Sequence, residues 1–415
     1  MNQSSHGATK PANEWASGGA LVVAATGGMS VAALLIYTSG VFFEPLQREF
    51  GWSRTEIVSG LTINSIVAVV LAPILGRLVD RHGARTLALP GLVLFTGAFA
   101  ALGLSTGSVW LWWAMWFVLS ISASMLSPTV WTSAVAERFD RHRGLALAIT
   151  LSGTGVTGIV GPLLATLMLS HWGWRGAYLG LAVLWCVVIL PLAIAFFWSR
   201  RELVGRATAT AAPPASEMTK LGDLAPILRS GPFICLSLGT FLVVMVTTGA
   251  LVHFVPFLLD HKVSPSVAAT AAGIIGIANI LGRIGTGFIL DRLDPTKVGA
   301  FMFGAPIIVM VGLLGFDGTL ASAFALAFIL GVCVGAELDI AAYLTSRSFG
   351  TKNFGLLFGV VVGLVAFAAG AGPLVAGAVA DSTGDYRTAL WAAMPLCLCA
   401  SALVFGVGSK RAQTA

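Results

Sequence analysis

Arg283 stands in the middle of a long apolar stretch, with Asn279 one helical turn before it. Glu337 and Asp339 stand in another such stretch. A charge at the bilayer centre costs on the order of 3 kcal/mol by insertion scales, so such residues face a cavity or a partner. A guanidinium matches a carboxylate with two parallel hydrogen bonds and stays charged at physiological pH. The chemistry on offer is therefore the holding of an anion and the movement of a proton. Arg283 can pair with one acid and trade it for a substrate carboxylate, and the released acid can then take a proton. Glu337 and Asp339 are two residues apart, so a helix turns them to different faces and one of them faces Arg283. The alternative is a permanent structural ion pair.

Further polar residues in apolar stretches could complete a substrate cavity: Tyr37, Asn64 and Tyr343, the last one turn after Asp339. Hydrogen bonding or packing between helices is the competing use of each. His253 could titrate near neutral pH, but it lies near a helix end and suits packing as well. The glycine runs Gly153-Thr-Gly155 and Gly370-Ala-Gly372 read as close helix contacts and not as phosphate loops. No nucleophile with a base, ATP-binding motif or metal cluster occurs, so an enzyme is not expected and no cofactor or metal is implied.

These residues need a frame, and the composition supplies it. The chain has 415 residues, 57% hydrophobic and 10% charged, with mean hydropathy +0.89. About 20 apolar residues span a bilayer as a helix, and helices or closed barrels alone satisfy their backbone in lipid. Twelve apolar helices are predicted, at 17–43, 54–79, 85–105, 108–137, 143–170, 174–199, 231–258, 266–291, 297–316, 319–345, 354–380 and 387–408. They group as a tail (1–16), a six-helix bundle (17–199), a polar linker (200–230), a second bundle (231–408) and a tail (409–415). Of the 24 Lys and Arg, 18 lie near one set of helix ends, loops and tails, 5 lie near the other, and Arg283 is the remainder. That bias predicts both termini on the cytoplasmic side of a multi-pass cell membrane, a bacterial inner membrane. The net charge of +6 is a topology signal and gives no reason to expect nucleic acid. The five cysteines fall inside apolar stretches, where they serve as small packing groups.

The halves repeat at one constant offset. Pro45 pairs with Pro256, Ser53 with Ser264, and Gly76, Asp80 and Arg81 with Gly287, Asp291 and Arg292. Gly144 pairs with Gly355, Gly161-Pro162 with Gly372-Pro373, and Gly173 with Gly384. Two parallel six-helix repeats are the signature of a major facilitator transporter, with substrate between them near the midplane. Arg283, Asn279, Glu337 and Asp339 fall opposite Ala72, Ala68, Leu126 and Pro128. The shared scaffold does not call for these polar residues, which favours a functional use.

The segment from Gly76 through Asp80, Arg81 and Gly83 to Arg85 resembles the major facilitator signature between helices 2 and 3. The resemblance implies a cytoplasmic gate of Asp80, Arg81 and Arg85, with Asp291 and Arg292 as its partial second copy. A helix-end cap obeying the positive-inside bias is the alternative. Ser39 to Ile57, Arg143 to Ile149, Ser152-Gly153, Gly173-Trp174-Arg175 and Gly282-Arg283 to Gly287 with Asp291 are similar to monocarboxylate transporter-like members, related to the oxalate/formate-type bacterial ones. In that family the helix 8 arginine holds the substrate carboxylate. Two positions depart from animal members: Asn279 stands where they carry an aspartate, and Tyr37 where they carry a lysine. The resemblance implies secondary transport of a small organic anion, expected as proton-coupled monocarboxylate symport, with the monomer as functional unit. An anion exchanger and a proton-driven exporter using Glu337 or Asp339 are the alternatives. A non-transporting receptor on the same fold has no residue in its favour.

Overall fold

The computed structural model describes residues 14–139, 142–198, 225–349 and 354–409. The tails, most of the linker and the side chain of Asp80 lie outside the described residues. Among those described the chain is helical, and eleven segments are long and apolar enough to cross a membrane. One of them, Gly144–Phe196, has 53 residues. At ~1.5 Å per residue it would be about 80 Å long, far more than the ~30 Å hydrocarbon core. It breaks at Gly173 (φ 68°, ψ 178°), a left-handed conformation that suits glycine. The chain reverses there, and the segment counts as two spans, giving twelve.

Several spans differ from the predicted ones, for local reasons. Span 1 runs Glu14–Tyr37 and continues through a tight turn (Ser39–Phe42) into a short helix, Phe43–Phe50. Pro45 sits in that helix's first turn, where a missing N–H costs nothing. Span 2 is Arg54–His82 and span 3 is Ala84–Ala101. Span 4 is broken into Val109–Ser124 and Pro128–Arg138, because the residue before a proline is pushed out of the helical region. Span 5 comprises Arg143–Leu151 and the part of Gly153–Phe196 before Gly173; span 6 is the remainder. Spans 7 and 8 are Gly231–Asp260 and Pro265–Leu290. Span 9 is broken into Pro295–Gly304 and Pro306–Leu314, and spans 10, 11 and 12 are Leu320–Phe349, Phe354–Thr383 and Arg387–Ser409. Some starts are marked by capping side chains. Ser53 accepts from the Glu56 N–H while Glu56 accepts from the Ser53 N–H, a reciprocal capping box. Asp294 accepts from Thr296 and Lys297; the Thr296 hydroxyl leads the hydrogen bonds that hold its carboxyl below the usual carboxylate range. All five cysteines are free.

The halves meet along two glycine seams. In one, span 5 lies on span 8: a Cβ on Gly276 would come 2.3 Å from the Ile159 nitrogen, and one on Gly158 would come 2.7 Å from Gly276 Cα. In the other, span 2 lies on span 11: a Cβ on Gly370 would come 2.4 Å from Ser65 Oγ, and Thr62 Oγ1 donates to the Gly370 carbonyl at 2.9 Å. Nearer the face where span 1 begins, the same helices stand clear. A Cβ on Gly76, Gly285, Gly287, Gly359 or Gly363 would meet no described neighbour within 4 Å. Among the described residues, the halves are therefore in close contact toward the far face and stand clear of each other at these glycines.

Candidate functional site

Spans 8 and 10 pack backbone to backbone, and small residues make this possible. A Cβ on Gly335 would lie 2.1 Å from the Asn279 carbonyl oxygen, and one on Gly282 would lie 2.5 Å from the Val332 carbonyl oxygen. That approach brings Arg283 Nη1 within 2.7 Å of Asp339 Oδ1, to which it donates. The side chains are 11% and 27% exposed, so the pair is sheltered without being sealed. The bond uses one guanidinium nitrogen. Arg283 Nε is buried without a hydrogen-bond partner, and so is Asn279 Oδ1 one turn earlier. Buried polar atoms in folded proteins are normally paired. Two such atoms on one face of span 8 mark a surface with hydrogen bonds still to make.

Glu337 turns elsewhere, as the spacing predicts. It is buried and accepts from Thr247 Oγ1 of span 7 at 2.7 Å. Thr247 was not legible as its partner: a threonine in an apolar helix carries no sign of which neighbour it will meet. Tyr37, at the end of the first segment of span 1, rests its ring where a Cβ on Gly158 would come within 2.8 Å. Arg283, Asp339 and Asn279 thus lie together where spans 8 and 10 meet, Glu337 is turned toward span 7, and Tyr37 lies beside the span 5–span 8 seam.

The other expected cavity residues are less closely bound to that group. Asn64 is half-buried on span 2, and Tyr343 is half-buried against the apolar cluster of spans 7, 9 and 12. No hydrogen bond of either side chain is recorded among the described residues. His253 is buried between the Tyr386 hydroxyl (2.8 Å from Nδ1) and the Pro373 carbonyl (2.9 Å from Nε2). It borders an apolar cavity of about 100 Å³ among spans 7, 9, 11 and 12, away from Arg283.

Four of the five expected gate residues have described side chains; that of Asp80 lies outside the described residues. Arg85 donates to the carbonyls of Ala193, Ile194 and Phe197 at 2.7–3.0 Å and stacks on Trp198 at 3.6 Å. A cation on the last carbonyls of span 6 is favoured by the helix dipole, and these contacts stay within the first half. Arg292 folds back on Phe288, and Arg81 and Asp291 are exposed.

Comparisons with known proteins agree with this architecture. The sequence matches the Major Facilitator Superfamily over residues 25–337. It is 24% identical over 370 residues to monocarboxylate transporter 13 of Bos taurus, covering 84% of this chain and 79% of that one. It is 26% identical over 369 residues to monocarboxylate transporter 4 of Rattus norvegicus, covering 84% and 74%. In fold it resembles the crystal structure of a bacterial homologue of the human lysosomal transporter Spinster in an inward-facing, occupied conformation. The TM-score is 0.73 at 16% identity, covering 97% of this chain and 98% of that chain. Twelve apolar spans among the described residues and the family match over residues 25–337 make the chain a member of the Major Facilitator Superfamily, a multi-pass membrane transporter and not an enzyme.

Proposed function

We propose that the protein is a secondary active transporter of small organic monocarboxylates, driven by a proton gradient, with Arg283 as the substrate-binding cation. The observation that carries this reading is the half-used guanidinium. Arg283 is bound to Asp339 through one nitrogen, and its Nε, buried beside the orphaned Asn279 Oδ1, has no partner. A fixed fork with a free edge suits an incoming carboxylate. The monocarboxylate transporters among the relatives support the same substrate class.

The proposed cycle uses this chain's residues in order. Substrate enters between the halves and takes the Arg283 fork, with Asn279, Tyr37, Asn64 and Tyr343 completing the cavity. Asp339 loses its cation. A bare carboxylate in an apolar span is costly, so Asp339 takes a proton and the loaded centre approaches neutrality. Glu337, held by Thr247, is the second acid of the coupling group. The halves then rock, the far seams part, and the open face closes over Asp80, Arg81, Arg85, Asp291 and Arg292. Release of substrate lets Asp339 give up its proton and return to Arg283. The Lys and Arg bias supports a cytoplasmic placement of the face where span 1 begins; a bacterial inner membrane and a monomeric working unit belong to the same proposal.

The test is uptake of a panel of radiolabelled acids into proteoliposomes, with and without an inward proton gradient, for wild type and Arg283→Ala. Gradient-driven uptake of a monocarboxylate that the variant loses is expected. Uptake that needs only a counter-substrate makes the protein an exchanger. Folded wild type that moves no carboxylate sinks the reading and favours export of other compounds.

A further inference from the structure

We infer that Asp381 of span 11 is the latch of the far face, acting as a helix cap supplied across the interface between the halves. A helix leaves its first N–H groups without intrahelical partners. Span 2 deals with one of these through its own residue, since Ser53 Oγ takes the Glu56 N–H. The next two donors are taken by the other half of the molecule. Asp381 Oδ1 accepts from the Arg54 N–H at 3.1 Å, and Asp381 Oδ2 accepts from the Thr55 N–H at 2.8 Å and from Thr55 Oγ1 at 2.6 Å. An anion at this end also meets the positive pole of the helix. Span 2 is thus fully capped only while the halves touch.

Two further features mark the contact as built. Gly377, one turn before Asp381, packs into the same contact: a Cβ there would just reach van der Waals distance, 3.4 Å from the Thr55 nitrogen and 3.5 Å from His253 Cε1, and any larger side chain would intrude. The Arg54 side chain reaches Asp260 of span 7 at 2.5 Å and covers the Tyr386 ring at 4.5 Å. Tyr386 in turn meets His253, which rests on the carbonyl of Pro373. One turn of span 2 is therefore gripped by spans 7 and 11 and by the segment leading into span 12. Opening the far face must release the cap and the ion pair together. When it closes, three hydrogen bonds form at a helix end that needs them. The latch thereby biases the carrier toward the state seen here.

The test reads the gate directly and uses no substrate, so it stands whether or not carboxylate transport is correct. Spin labels at Thr106→Cys in the first half and Ser266→Cys in the second, both exposed at the far face, report the opening by double electron–electron resonance. The full chain is reconstituted in nanodiscs, in a background free of native cysteines. Wild type is expected to show mainly the short distance. Asp381→Asn keeps the shape and loses the charge and one acceptor. It should raise the ratio of open to closed at least fivefold. Gly377→Val should do the same by wedging the seam, and it carries the test if the first variant fails to fold. An unchanged distribution in folded Asp381→Asn overturns the proposal, even if Gly377→Val shifts it. Unchanged distributions in both variants overturn it as well.

Discussion

Arg283→Lys separates a substrate-binding arginine from one that only ties span 8 to span 10. In the structure Arg283 gives Asp339 a single hydrogen bond of 2.7 Å from Nη1. A lysine ammonium can supply one charge-assisted bond of the same kind, so the interhelical pair survives. What lysine lacks is the planar fork. A substrate carboxylate held by two parallel N–H groups would keep one of them. A hydrogen bond to a charged group contributes about 1.5–3 kcal/mol. At about 1.4 kcal/mol per tenfold, the expected rise in KM is roughly 10–150-fold. Arg283→Ala acts differently, because it leaves Asp339 without its cation. Breaking a fully buried pair costs about 3–5 kcal/mol. Here the side chains are 11% and 27% exposed, so the cost should fall below that range. Initial-rate uptake in proteoliposomes gives KM, and thermal unfolding in detergent gives stability. Arg283→Lys should raise KM with near-normal unfolding, whereas Arg283→Ala should lose transport and unfold earlier. Wild-type KM in the lysine variant would refute bidentate carboxylate binding. Restoration of transport in Arg283→Met/Asp339→Met would show that the pair is structural.

Three other outcomes are expected. Asp339→Asn should uncouple transport, so that substrate exchange persists while a proton gradient no longer accumulates substrate; retained accumulation would move the coupling role to Glu337. Thr247→Val should leave the buried Glu337 carboxylate without its recorded bond and cost about 1–3 kcal/mol, read as a lower unfolding temperature. Gly276→Val should insert normally but lose transport, because its Cβ would lie 2.3 Å from the Ile159 nitrogen. Overpacking of this kind costs about 1–3 kcal/mol, and full activity would show that this close span 5–span 8 contact is not needed for transport.

The division of labour between sequence and tertiary structure follows from the range of the forces involved. Apolar stretches long enough to span, turn residues such as Gly173 and the constant offset between halves are local or periodic signals. They survive in one dimension, and they made the twelve spans and the superfamily legible. The solitary positions of Arg283, Glu337 and Asp339 were legible for the same reason, since a charge in an apolar stretch stands out without any coordinates. The spacing of the two acids also said that one alone would face Arg283. It did not say which. That depended on how span 10 is rotated against span 8, and Gly335 and Gly282 decide this by allowing the backbones to touch. Thr247 as partner of Glu337, Arg85 on the end of span 6 and Asp381 on the start of span 2 were equally out of reach. Arg54 and Asp381 are 327 residues apart, and a pairing over that separation leaves no periodic trace. The parting of the seams at one face and their closure at the other is a property of two bodies in contact. It is set by packing between the halves, and only the tertiary structure holds it.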